Sequence, residues 1–111
     1  MNIKEEMRAE EKQEFCTNNG LVMRTIITFF KRGWFKSEEL LSSLCGYDLK
    51  TADVVDAIDY FADKGYIKTR DSETHEDVCP CDAEFEDIEI RLHADGMLLG
   101  KHLTNDIGID L

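Results

Sequence analysis

The stretch "TADVVDAIDYFADKGYIKTR", residues 51–70, constrains the fold of this chain more than any other. Val54, Val55, Ile58, Phe61 and Ala62 recur at helical spacing, and Thr51 followed by Asp53 reads as a helix start. Gly65 stands where a helix ends on a left-handed residue. Tyr66 after it is placed to close a Schellman motif and pack back on Phe61. From there the period switches to two, with Ile67 and Thr69 on one side and Tyr66 and Lys68 on the other. A single glycine leaves no slack between helix and strand.

A second alternating run, "DIEIRL" at 87–92, places Ile88, Ile90 and Leu92 on one face and Glu89 and Arg91 on the other. Two such runs around the polar residues 71–86 predict an antiparallel hairpin with an unusually long loop. Upstream, residues 3–15 are rich in helix formers, with a thin apolar stripe of Ile3, Met7 and Phe15. They predict a mostly solvated helix that "TNNG" at 17–20 ends. A second helix then buries Leu21, Val22, Thr25, Ile26, Phe29 and Phe30, with Lys31 and Arg32 in its last turn and Gly33 after it. Trp34 to Lys36 has room for a short extended link. Ser37 is the expected N-cap of a short helix carrying Leu40, Leu41 and Leu44, which Gly46 ends. After the hairpin, "ADGMLLGKHL" predicts a short helix and "TNDIGIDL" an extended tail.

The expected class is mostly α with a small β-hairpin. The 111 residues suffice for one domain with a modest core. That domain has its centre at about 20–93, a helical extension over 1–19, and a terminal helix and tail over 94–111. No apolar run approaches the roughly 20 residues of a membrane helix, and "MNIKEEMRAEEKQEF" lacks the apolar region of a secretory signal. The expected home is therefore the cytoplasm, without membrane contact. In that setting Cys16, Cys45, Cys79 and Cys81 are expected as thiols or ligands rather than disulfides. Cys16 and Cys45 fall at helix ends, near the core.

Three helices followed by a two-stranded wing is the element order of a winged helix. The segments "EELLSSL" and "TADVVDAIDYFADKGYI" resemble that superfamily at residue level. More narrowly, the chain is similar to small winged-helix proteins of Mu-like phages and prophages. In those, a wing returning as hydrophobic-x-hydrophobic-x-Leu enters a terminal helix with an early glycine, as "IEIRLHADGMLLGKHL" does. The resemblance covers roughly residues 20–108 and rests on patterns, not on an invariant site. His93 stands where such a helix usually has a Ser or Thr N-cap, and the wing is longer and more acidic. The resemblance implies a winged helix with an extra N-terminal helix and a short C-terminal one.

Charge separates the functions that such a fold serves. The net charge is −11. A DNA-binding winged helix would put residues 51–64 into the major groove. The outward positions there are Asp53, Asp56, Asp59, Tyr60 and Asp63, which repel phosphates and release no counterions. The wing adds Asp71, Glu73, Glu76, Asp77, Asp82, Glu84, Glu86 and Asp87, whose mutual repulsion favours an extended or disordered tip. An acidic solvated face is the plain account of the helix. The sharper one is a protein-facing surface with Tyr60 as anchor, joined by Trp34 and Phe35 if they are exposed. The basic residues Arg24, Lys31, Arg32 and Lys36 gather elsewhere. They suit contact with a nucleic-acid backbone, contact with the acidic surface of a second copy, or simple dipole compensation at a helix end.

His75, Cys79 and Cys81 have ligand chemistry suited to zinc. Cys-x-Cys around Pro80 is nonetheless a poor chelate turn, and no second cysteine pair lies near. Two free thiols are the default, and neither metal nor cofactor is expected. No nucleophile elbow, P-loop, dinucleotide fingerprint or zinc-protease motif is present, and the three histidines have no catalytic spacing. The expectation is a non-enzymatic interaction module with a protein partner, foremost a second copy in a homodimer. The alternative is a winged helix-turn-helix DNA-binding transcriptional regulator, by analogy of fold. A thinner third idea is an acidic mimic of DNA.

Overall fold

A computed structural model describes residues 3–111, with side chains described from residue 10 onward. The proposed apolar stripe members Ile3 and Met7 therefore lie outside the described side chains. In chain order the elements are α1 (Ile3–Phe29), β1 (Trp34–Lys36), α2 (Ser37–Ser43), α3 (Thr51–Asp63), β2 (Ile67–Asp71), β3 (Ile88–Leu92) and α4 (Ala94–Gly100). Short 3-10 turns at Pro80–Asp82 and Phe85–Asp87 interrupt the long β2–β3 loop. The three strands form one antiparallel sheet in the order β1-β3-β2. The result is a mostly helical α+β fold compatible with winged-helix topology.

The helix-to-strand junction forms as the sequence predicts. Gly65 takes a left-handed φ of 76°. The Tyr66 N–H donates to Phe61 O at 2.9 Å and the Gly65 N–H to Ala62 O at 3.1 Å, which is the Schellman pair. This turn sends β2 antiparallel along β3, with Ile67 opposite Leu92 and Asp71 opposite Ile88. The other edge of β3 takes β1, with Phe35 opposite Ile90. The link at Trp34 to Lys36 is thus a third strand, and the two-stranded hairpin becomes a three-stranded sheet. Hydrogen bonds on both edges and burial of Ile88, Ile90 and Leu92 make β3 the central element.

The helices cover the apolar side of the sheet. Val22, Met23 and Ile26 of α1 meet Leu40 and Leu44 of α2 and Val54, Ala57, Ile58 and Phe61 of α3, all buried. Phe30 stacks on Phe35, with ring centroids 4.6 Å apart. Phe29, expected in the core, is 71% exposed, because the buried face runs through positions 22, 26 and 30 instead. Two caps also differ from expectation. Lys36 and Lys50, not Ser37 and Thr51, occupy the N-cap positions of α2 and α3. Ser37 is buried inside the first turn of α2 and donates to Phe85 O, tying the helix to the returning wing. His93 does cap α4, its Nδ1 accepting from the Asp95 N–H at 3.2 Å.

The largest departure is at "TNNG". The chain does not break there, and one helix runs from Ile3 to Phe29. Lys31 and Arg32 consequently follow the helix and are not in its last turn. Gly20 costs a helix interior about 1 kcal/mol relative to Ala, and the C-terminal tail supplies the reason for it. A Cβ at Gly20 would lie 1.8 Å from Asp110 O, so only glycine lets the tail close on α1. Beside it, buried Asn19 donates from Nδ2 to Gly108 O at 2.9 Å, and the Asp110 N–H donates to Cys16 O at 3.0 Å. Cys16 Sγ and Arg24 complete the seam through Ile107 O and Asp110 O. The polar run that looks like a helix stop is a backbone-docking site.

Gly20→Ala should therefore lower stability by about 1–2 kcal/mol in urea unfolding, because overpacking against a fixed backbone outweighs the gain in helix propensity. A stabilised variant would show that the tail does not dock. Ile90→Ala, at the centre of the sheet, should cost about 3–4 kcal/mol in the same measurement.

Candidate functional site

The acidic face forms where α3 passes the first half of α1. At the start of α3, Asp53 turns back so that its Oδ2 accepts from the Lys50 N–H at 3.0 Å. The continuous α1 carries Glu11, Glu14, Phe15 and Asn18 alongside. Together with Asn19, Lys50, Asp53 and Asp56 they line a groove of about 390 Å³. Four carboxylates thus face one lysine around Phe15, which is 39% exposed and meets the Tyr60 ring edge-on at 5.4 Å. Glu11 and Glu14 belong to this groove only because α1 is unbroken. Their positions four and one residues before Phe15 are the signal that a break at 17–20 conceals.

Farther along α3 the acids crowd one another. Asp59 is half-buried, and its Oδ1 is shut from solvent with no hydrogen-bond partner among the described residues. Burial, then the charges of Asp56 and Asp63, push its carboxyl above the usual range. Asp56 and Asp63 are exposed. An unpartnered half-buried carboxylate with like charges on the same helix is destabilising to the isolated fold.

Tyr60 is not a free anchor. Its hydroxyl donates to Asp106 Oδ1 at 2.6 Å, the Tyr66 hydroxyl donates to Asp106 Oδ2, and the Gly108 N–H reaches Oδ1 at 2.8 Å. Lys64 lies over the Tyr60 ring, with Nζ 5.6 Å from the centroid and 4.0 Å from Asp106 Oδ2. The Asp106 side chain is 4% exposed. Burial alone would raise its carboxyl, but the two tyrosine hydroxyls, the Gly108 N–H and Lys64 outweigh that and lower it. Conversely, burial and the same carboxylate push the Tyr60 hydroxyl up to about 12 and raise that of Tyr66 further. This clasp pins the tail across the C-terminal half of α3. Nothing in the tail sequence marks Asp106 apart from the chain's other aspartates.

The remaining proposed surface residues separate. Phe35 is buried beneath Phe30 and is not available to a partner. Trp34 is half-buried, its ring covered by the Arg70 guanidinium at 4.1 Å. Arg70 in turn donates from Nε to Glu89 Oε1 at 2.8 Å. Arg24, Lys31, Arg32 and Lys36 are all exposed, and none of them belongs to an ion pair among the described residues.

The wing does not splay outward as its charge suggests. Asp71 accepts from the Glu73 and Thr74 N–H groups at 2.8 and 2.9 Å, and these bonds, Thr74 first, hold its carboxyl below the usual range. The loop then folds back along the outer edge of β2. The Val78 N–H donates to Thr69 O at 3.2 Å and Thr69 Oγ1 donates to Val78 O. A strand edge otherwise left open is covered, and backbone pairing there outweighs repulsion between solvated carboxylates. His75, with φ of 60°, swings to Glu89 at 3.5 Å and does not join the cysteines. Cys79, Cys81 and Asp82 do come together, with Sγ atoms 2.7 Å apart. The Cys81 thiol is pushed up to about 11 by its bond to Cys79, by burial and by neighbouring negative groups that include Asp59. Cys45, expected near the core, is exposed.

No protein-family model, curated protein or solved structure matches this chain. Among the described residues, no helix is long and apolar enough to cross a membrane.

Replacing Asp106 by Ala leaves two half-buried tyrosine hydroxyls unpaired and should cost about 2–3 kcal/mol in urea unfolding. The clasp also sets a pH window. With a folded value below the unfolded 3.8, Asp106 contributes its full stability above that value and loses it as pH falls through the folded one. The stability difference between the wild type and Asp106→Asn should shrink steadily as pH falls below about 5.

Proposed function

We propose that this chain is a non-enzymatic protein-interaction module on a winged-helix scaffold, of the small phage or prophage type, acting in the cytoplasm. Its working surface is the acidic groove between α1 and α3, and it receives a basic segment of a protein partner. The observation that carries this reading is the groove itself, where Glu11, Glu14, Asp53 and Asp56 face one lysine around the part-exposed ring of Phe15. Carboxylates gathered around an aromatic ring are a suitable bed for lysine or arginine side chains.

A second copy is the first candidate partner. Arg24 on α1 and Lys31, Arg32 and Lys36 in the segment after it are exposed, so each copy carries basic side chains as well as the acidic groove. The same basic residues are what a DNA-binding regulator would have to use. With α3 and the wing acidic, they would have to act alone against strong repulsion from the usual reading surfaces.

Three measurements separate these readings. Light scattering at high protein concentration should show a dimer that dissociates as salt rises; a strict monomer counts against self-association. An Arg/Lys-rich peptide should bind in an anisotropy assay, and Glu11→Gln with Glu14→Gln and Asp56→Asn should weaken it about tenfold, as expected for a few part-exposed ion pairs. Salt-sensitive binding of random duplex DNA at micromolar protein and physiological salt would instead favour the regulator. Asp59→Asn, which removes a crowded charge outside the groove, should raise the stability of the free chain by about 0.5–1 kcal/mol and leave peptide binding unchanged.

A further inference from the structure

The turn at Pro80–Asp82 carries three metal-ligating groups that the function above does not use. We infer that Cys79, Cys81 and Asp82 form a site for a thiophilic divalent ion of the zinc class, with one coordination position left open. The two sulfurs and a carboxylate oxygen of Asp82 all lie within 4.8 Å of one another. Two thiolates select zinc-like ions over magnesium or calcium, and three protein ligands with one open position is an established zinc arrangement.

The turn itself answers the objection that Cys-x-Cys chelates poorly. Pro80 opens a 3-10 turn that the Asp82 N–H closes on Cys79 O at 2.9 Å. That closure makes Asp82, not a distant residue, the third ligand. The turn is held from both sides, by Val78 paired with Thr69 and by packing against α3. The backbone is therefore in place before an ion arrives, which lowers the ordering cost of chelation. The sulfurs stand 2.7 Å apart and would have to open to about 3.8 Å, the separation of two thiolates at 2.3 Å on a tetrahedral ion. Both cysteines are exposed, so side-chain rotation supplies that movement without disturbing the core. Asp59 of α3, with its unpartnered buried oxygen, adds a negative group on the helix against which the turn packs. His75 is not part of the cluster, because it is drawn to Glu89 at 3.5 Å.

The test is a titration of the full, reduced chain with cobalt(II), followed by displacement with zinc. The wild type should take one equivalent and develop the near-ultraviolet thiolate-to-cobalt band, which zinc then abolishes. Cys79→Ser and Cys81→Ser should each lose the band, and Asp82→Asn should weaken binding about tenfold. His75→Ala and the double replacement Cys16→Ser with Cys45→Ser should leave it unchanged. All of these positions are exposed or half-buried, so unchanged far-ultraviolet circular dichroism checks that each variant folds. Absence of the band in the wild type would overturn the site. So would a band that survives Cys79→Ser and Cys81→Ser together, or one lost with His75→Ala.

Discussion

The fold depends on β3 being hydrogen-bonded along both edges while one of its faces is fully buried. A strand in that position has no freedom of register, since a slip of one residue would send Ile88, Ile90 and Leu92 to solvent and Glu89 and Arg91 into the core. Its two neighbours are thereby fixed. β1 arrives from the end of α1 and sets where α2 begins, and β2 arrives from the Schellman turn and sets where α3 ends. α1, α2 and α3 then pack over the apolar face of the sheet. The outer edge of β2, one of the two outer edges of this sheet, is covered by the loop between β2 and β3.

On that scaffold the surface is shaped by where negative charge is tolerated. Most carboxylates of the wing remain solvated, which keeps their repulsion small, and Asp71 has a structural duty in the turn. Those on α3 are different. Asp53 is used at the helix start, Asp106 arrives from the tail and is fully engaged, and Asp59 alone is held close to the core without a partner. Asp106 locks the tail in place, and Asp59 is left unsatisfied near Cys81 of the turn that packs on α3.

Some of the site was legible in residue order and some was not. Asp53, Asp56, Asp59 and Asp63 could be placed on one acidic face from helical spacing alone, because that spacing follows from backbone geometry. Glu11 and Glu14 could not be joined to them, because "TNNG" has the composition of a stop and only the docked tail makes it tolerable as helix. Tyr60 was visible as an outward aromatic, but its engagement by a residue 46 positions later was not. The grouping of Cys79 with Asp82 in place of His75 likewise turned on one left-handed residue and one 3-10 turn.

What the residues alone determined follows mostly from local period: the core helices with most of their apolar positions, the helix-to-strand turn at Gly65, the pairing of the two alternating runs, and the sign of the surface charge. These follow from interactions within a few residues, where spacing and geometry are the same thing. Tertiary structure decided the rest: the fusion of two predicted helices into α1, the recruitment of Trp34 to Lys36 as a strand, the fold-back of an acidic loop, and the clasp on Asp106. Each of these depends on a backbone or side-chain partner far away in the chain. The free energy of such a contact outweighs a local propensity of about 1 kcal/mol only once the distant partner is in place.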